Sequence, residues 1–166
     1  MSRKTAILLV TLTVGLSLDQ LSKLLVVRFM PLGAQLPMIQ GFFNLVHTRN
    51  RGAAFGLLAG LSPTFTWLFF LSTTTLVLLV VAYFWWRLPP RDCPSALGFS
   101  LIMAGALGNL IDRVRLGEVI DFLDFYLGRY HWPAFNVADS LICLGAGVLI
   151  FVVLAEGKKE DASHPV

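Results

Sequence analysis

Asp121 and Asp139 are the residues whose types and placement could do chemistry. They stand at the two ends of one connection between the last two apolar stretches of the chain. If those stretches are antiparallel membrane-crossing helices, the segments Val119-Ile-Asp-Phe-Leu-Asp-Phe125 and Phe135-Asn-Val-Ala-Asp-Ser140 emerge at one level of the bilayer. Two carboxyl groups held close together cannot both ionise cheaply, so one keeps its proton and the other acts as a base toward bound water. A coupled pair titrates as a unit, so sequence assigns the proton to neither residue. A structural role competes with this one. Asn136-Val-Ala-Asp139 has the spacing of a capping box ahead of the apolar run Leu141 to Leu154, and Asp121 and Asp124 could be solvated interfacial acids.

The elements that must position these carboxylates follow from composition. A chain of 166 residues with 56% hydrophobic and 14% charged residues and a mean hydropathy of +0.73 is a polytopic membrane protein and not a disordered one. The net charge of +3 is scattered, without a basic tract, which argues against nucleic acid as a partner. Arg3 and Lys4 ahead of an apolar run imitate a signal peptide. No small-residue cleavage site follows, however, and the apolar character resumes at Leu24-Leu25-Val26-Val27, so this segment is expected to be a retained first span. Four spans result, at about 5–27, 65–86, 96–115 and 138–155, each near the ~20 residues that cross a bilayer as helix. The expected architecture is an all-α polytopic membrane protein, one domain over 1–166, with a small extracytoplasmic β insert between helices 1 and 2. That insert, about 28–64, is rich in Gly and Pro and alternates in Gly41-Phe-Phe-Asn-Leu-Val-His47, the pattern of short strands lying on the membrane surface. Arg87-Leu-Pro-Pro-Arg-Asp-Cys-Pro94 reads as a turn, and the charged tail after Ala155 as loose chain.

Orientation rests on the first span, because basic residues divide evenly between the two faces. Arg3, Lys4 and the amino terminus outweigh Arg28 there, which favours cytoplasmic termini. Helical rise then lifts Asp19 and Lys23 roughly 20 to 28 Å from the inner end of span one. Asn109, Asp112 and Arg113 rise similarly on span three, so the intramembrane polar groups gather in the outer third beneath Asp121 and Asp139. Each charge at the centre of a span costs at least about 2.5 kcal/mol unless it faces a partner or a wet cavity. Asp19 and Lys23, at i and i+4, can pair on one face; Asn109 and Arg113 share a face, with Asp112 turned partly away as a possible salt-bridge partner. Gly105, Gly108, Gly145 and Gly147 suit close helix approach, and Ser72 to Thr75 suit bonds back to their own helix. Cys93, in a loop, and Cys143, in a span, lack redox or metal spacing, as do His47, His131 and His164, so no metal or cofactor is expected. A small transporter handling an ion at Asp19, Lys23 and Arg113 is the competing class, and an assembly protein a third; the charge-poor inner halves of the spans speak against the transporter.

Taken as a set, the residues resemble lipoprotein signal peptidase, signal peptidase II. The resemblance lies in Asp19-Gln-Leu-Ser-Lys23, Asn50-Arg-Gly-Ala-Ala-Phe-Gly56, Gly108-Asn-Leu-Ile-Asp-Arg113, Val119-Ile-Asp-Phe122 and Phe135-Asn-Val-Ala-Asp-Ser140, in the family's order. It implies a multi-pass aspartic endopeptidase of the bacterial inner membrane, active toward the outer face. Such an enzyme removes signal peptides from diacylglyceryl-modified prolipoproteins, cutting just before the lipidated cysteine. By the same resemblance Asp121 and Asp139 are the catalytic dyad. Asn50, Asn109, Arg113 and Asn136 line the site, and Asp19 and Lys23 support it. Membrane lipid and cyclic peptide inhibitors of the globomycin type are the further implied partners. The insert around Asn44 to Phe55 is the implied substrate cradle, with Phe42, Phe43 and Phe55 free either to touch lipid or signal peptide or to pack at the interface.

Overall fold

The computed structural model describes residues 1–52 and 62–163, with side chains described as far as Gly157. Ala53 to Gly56, including Phe55 of the expected cradle, and His164 lie outside the described residues. Among the described residues four helices are long and apolar enough to cross a membrane: α1 (Arg3–Phe29), α2 (Pro63–Arg87), α3 (Cys93–Leu116) and α4 (Val137–Ser163). Their starts are written locally. The Ser2 and Ser62 hydroxyls and the Asp92 carboxylate accept first-turn N–H groups, and Pro63 and Pro94 occupy positions where a missing N–H costs nothing. Gly117 ends α3 at φ 74°, a left-handed conformation that costs a glycine little, and so turns the chain directly into the next strand.

Helix α3 is the hub, packing against the other three helices. In its most apolar stretch 56% of residues are buried, against 11% for each of the others, so most of the remaining helical surface faces lipid. Small residues permit this. A Cβ on Gly105 would collide with the Ala138 carbonyl of α4, and one on Gly145 would stand 2.6 Å from the Gly98 carbonyl. Gly147 departs from the expectation of close approach: among the described residues nothing lies within 4 Å of a Cβ built there. On α1 the buried residues are Gly15, Asp19, Lys23 and Val26, a single stripe, while Leu18, Leu21, Leu24 and Leu25 are exposed. Polar groups turned inward and leucines outward are what a lipid solvent selects.

The sheet is larger than the insert alone would make it. Strands β1 (Gln35–Ile39) and β2 (Phe43–Asn50) come from the insert, as the alternation predicts. The connection between α3 and α4 supplies β3 (Val119–Leu127) and β4 (Tyr130–His131), completing an antiparallel order β1-β2-β3-β4. That connection, despite its acidic residues, is thus built around a largely buried strand. Val119 to Phe122 are all buried, so both faces are covered and the period-two signal is lost. Asp124 corrects the expectation of a solvated acid: it is 7% exposed, accepting from Asn44 Nδ2 at 2.8 Å, with His131 Nδ1 at 2.8 Å. Phe43, Phe125 and Phe135 stack along the sheet, and Phe42 meets Phe125 edge to face. Two further differences are plain: Cys93 opens α3 instead of lying in a loop, and α4 continues through the expected loose tail to Ser163.

Candidate active site

Asp121 arrives on β3 and Asp139 in the first turn of α4, and one residue connects them. The Asn136 side-chain amide donates to Asp121 Oδ1 at 2.7 Å. Its Oδ1 accepts the Asp139 N–H at 3.0 Å, and its own N–H donates to Asp139 Oδ2 at 3.2 Å. The last two bonds are the reciprocal capping box that the spacing predicts. Capping and a paired-carboxylate site are therefore not alternatives here, because the cap is what holds Asp139 beside Asp121. Asn50, at the end of β2, donates to Asp121 Oδ2 at 3.0 Å, and Asn109 of α3 donates to Asp139 Oδ1 at 2.7 Å. Burial, and then the charge of Asp139, raises the Asp121 pKa to about 7; hydrogen bonds from Asn50 and Asn136 and the charge of Lys23 oppose the rise without cancelling it.

Beneath the pair lies a buried charge cluster. Lys23 Nζ contacts Asp19 Oδ2 at 2.9 Å and Asp112 Oδ2 at 2.8 Å, and donates to Asn109 Oδ1 at 3.1 Å. The expected Asp19–Lys23 pair is thus a triad in which Asp112 is the second anion. Its carboxylates do further structural work. Asp19 Oδ1 accepts the Ala138 N–H at 2.9 Å at the start of α4, and Asp112 Oδ2 accepts the Ile120 N–H at 3.2 Å beside Asp121. Gln20, to which the sequence reading gave no role, donates to both carboxylates, at 3.0 Å to Asp19 Oδ2 and 3.1 Å to Asp112 Oδ1. Its place in the Asp19-Gln-Leu-Ser-Lys23 block is the signal that could have found it.

Arg113 lies within Coulombic reach of Asp139 and Asp121 while leaning toward α2. Its Nη1 donates to Thr74 Oγ1 at 3.4 Å, its guanidinium stands 5.7 Å from the centre of the Phe70 ring, and its carbonyl accepts Trp67 Nε1 at 2.7 Å. Asn109 and Arg113, expected on one face, thus serve different neighbours. Ser72 and Thr75 bond back to their own helix as expected, whereas Thr74 takes the Arg113 bond.

Three largely lipid-facing helices packed around α3, with a carboxylate pair where β3 meets the start of α4, define a multi-pass membrane protein with a buried acidic site at one end of its helices. The family model of signal peptidase (SPase) II matches residues 11–155. The lipoprotein signal peptidase of Syntrophus aciditrophicus is 42% identical over 161 residues, 97% of this chain and 100% of that one. The lipoprotein signal peptidase of Geobacter sulfurreducens is 48% identical over 146 residues, 88% and 90% of the two chains. Among solved structures, a bacterial membrane enzyme superposes with a TM-score of 0.80 at 33% identity, covering 92% of this chain and 90% of its own. The chain belongs to the signal peptidase II family. It is a peptidase, and lipoprotein signal peptides are what the family cleaves.

Proposed function

We propose that the chain is an aspartic endopeptidase in which Asp121 and Asp139 activate water against the peptide bond just before a diacylglyceryl-modified cysteine. The observation that carries this reading is the convergence of both carboxylates on Asn136, with three amides aimed at them and one carboxyl pushed up to about 7. The ionised member draws a proton from water as it attacks the carbonyl, and the protonated member hydrogen-bonds the developing oxyanion. Asn50, Asn109 and Asn136 hold the carboxyls, and Arg113 supplies positive charge near the substrate backbone. Asp19 and Lys23 fix the helices below. In this reading the protein sits in the bacterial inner membrane with cytoplasmic termini and the site toward the outer face, where lipidated prolipoproteins present their signal peptides. Cyclic peptides of the globomycin type would inhibit by occupying the site.

The test is purified protein in detergent with a lipid-modified prolipoprotein. Asp121→Asn and Asp139→Asn should each abolish cleavage while expression and insertion remain near normal. Asp139→Asn keeps an oxygen able to accept the Asn136 N–H, so a purely structural Asp139 would keep the capping box. Substantial turnover in both variants would remove the pair as the catalytic centre.

A further inference from the structure

We propose that Asp121 is the member of the pair that carries the proton before reaction, and that Asp139 is the base that takes the proton from water. The assignment rests on the dyad reading above and goes beyond it, because a symmetric pair would serve that reading equally well.

The hydrogen bonds around the two carboxyls have a direction that cannot be reversed. Three amides meet the pair, and in each the oxygen end is held by a group that can only donate. Asn109 Oδ1 receives the Lys23 ammonium at 3.1 Å, Asn136 Oδ1 the Asp139 N–H at 3.0 Å, and Asn50 Oδ1 the Gly52 N–H at 2.7 Å. Flipping any of these amides would set an NH₂ group against a donor. Each NH₂ therefore faces a carboxylate: Asn109 that of Asp139, and Asn136 and Asn50 the two oxygens of Asp121, the Asn136 NH₂ also reaching the Ile120 carbonyl at 3.1 Å and Asn109 Oδ1 at 3.2 Å.

What distinguishes the two acids is what lies behind those amides. Asp139 stands in the first turn of α4, where the free N–H groups and the positive end of the helix favour an anion. One of its oxygens accepts the capping backbone N–H, and the other is joined through a single amide to the buried Lys23 ammonium. It is also only half-buried. Asp121 sits on a strand, 2% exposed, and among the described residues its side-chain oxygens touch only the neutral amides of Asn50 and Asn136. The charged groups around it are Asp19 and Lys23 on α1, Asp112 and Arg113 on α3 and Asp139 on α4. Asp19 and Asp112 are already engaged with Lys23. On β2, Arg49 is next to the cross-strand partner Thr48 and turns to Glu118. Burial first, and the neighbouring Asp139 charge second, hold the Asp121 proton up to about pH 7.

The proton balance then closes. Asp139 accepts a proton from water as its oxygen bonds to the scissile carbon, and Asp121 gives its proton to the carbonyl oxygen. A neutral gem-diol forms. On collapse the C–N bond breaks, the departing amine takes the proton from Asp139, and Asp121 recovers its own from a gem-diol hydroxyl. One water is consumed, and both acids return to their starting states.

Infrared spectroscopy of the protonated-carboxyl stretch tests this, on wild type and on Asp121→Asn and Asp139→Asn in detergent, titrated from about pH 5 to about pH 9. The expected wild-type signal titrates near pH 7, is absent in Asp121→Asn, and persists in Asp139→Asn with its midpoint moved to lower pH, since the repelling neighbour is gone. Loss in Asp139→Asn with retention in Asp121→Asn, loss in both, or no such signal in wild type would overturn the assignment. The pH profile of wild-type kcat/KM needs no variant: activity should fall through a single ionisation near pH 7, and a profile flat to pH 9 would also overturn it. Cleavage by the two variants is read in parallel. Retained turnover in both means the dyad reading has failed, whereas a reversed spectrum with both inactive means only the assignment has.

Discussion

Asp121 and Asp124 stand three apart on β3, and the structure treats them differently. Asp124 finds Asn44 and His131 as partners, while Asp121 is left with two neutral amides beside a second carboxylate. The sequence leaves both as acids at an interface, because Asn44 and Asn50 come from the insert, two helices earlier in the chain, and only the β2–β3 register sets Asn44 opposite Asp124. Asp139 was more legible, since its capping partner is three residues away. The unfavourable setting of Asp121 has a consequence for stability. Its carboxyl titrates at about 7 in the fold against an ordinary value of 3.8, so between those pH values the folded chain holds a proton that the unfolded chain has lost. Stability contributed by this group is present at low pH and is lost as pH rises through about 7; a shift of this size corresponds to on the order of 4 kcal/mol. Asp121→Asn removes the titration. Its new NH₂ faces the Asn50 or Asn136 donor at every pH, a fixed cost, so the pH dependence is the test: the melting temperature of the variant relative to wild type should rise from pH 5 to pH 8, as thermal melts in one detergent at both pH values would register. A relative melting temperature higher at pH 5 than at pH 8 would contradict it.

Among the elements, the start of α4 is the part most tightly specified. The Ala138 N–H is bonded to Asp19 of α1, and a Cβ added at Gly105 or Gly108 of α3 would meet the Ala138 carbonyl or, at 2.5 Å, Asp19 Oδ2. These contacts seat Asp139, one residue further on. The four apolar runs are legible because a span needs about 20 residues and nothing else in a short chain is that long. Strand β3 is not, because a strand buried on both faces carries no alternation, and its pairing with β2 joins segments separated by two whole helices. The glycines divide on the same grounds. Gly105→Ala gains roughly 1 kcal/mol of helix propensity but must push α4 away, and a displacement of about 1 Å at a reacting group can cost 10²-fold in rate. Its kcat should fall at least tenfold with little change in expression. Gly147→Ala meets nothing within 4 Å among the described residues and should keep wild-type kcat. Equal activities in a detergent assay of the two variants would show that the α3–α4 seat does not position the site.

At the scale of the whole molecule, the two ends of the helical bundle are built differently. At one end Lys4 donates to the Trp86 and Leu88 carbonyls at 3.0 and 2.8 Å and lies 4.8 Å over the Trp85 ring, closing the C-terminus of α2 against α1. The carboxylate pair belongs to the other end. Asp19 and Lys23 are about 22 to 28 Å further along α1 at 1.5 Å per residue, a distance that, on the proposed reading, puts the site near the level where hydrocarbon meets headgroups. A flexible peptide in water has no reason to dwell at that depth. A diacylglyceryl group gives it one, since lipid chains contribute about 0.8 kcal/mol of membrane affinity per buried CH₂, enough to pin the modified cysteine at the interface. On the reading proposed above, the bond before that cysteine would then be held at the height of Asp121 and Asp139 and would react as though at high local concentration. Cleavage should therefore be efficient only on the lipidated precursor. A gel-shift assay on matched prolipoproteins, with the cysteine lipidated or bare and in the same detergent, measures the ratio directly. The lipidated form should be cut at least a hundredfold faster. Equal rates would mean that the depth of the site does not set the register of the substrate, even if both aspartates remain essential.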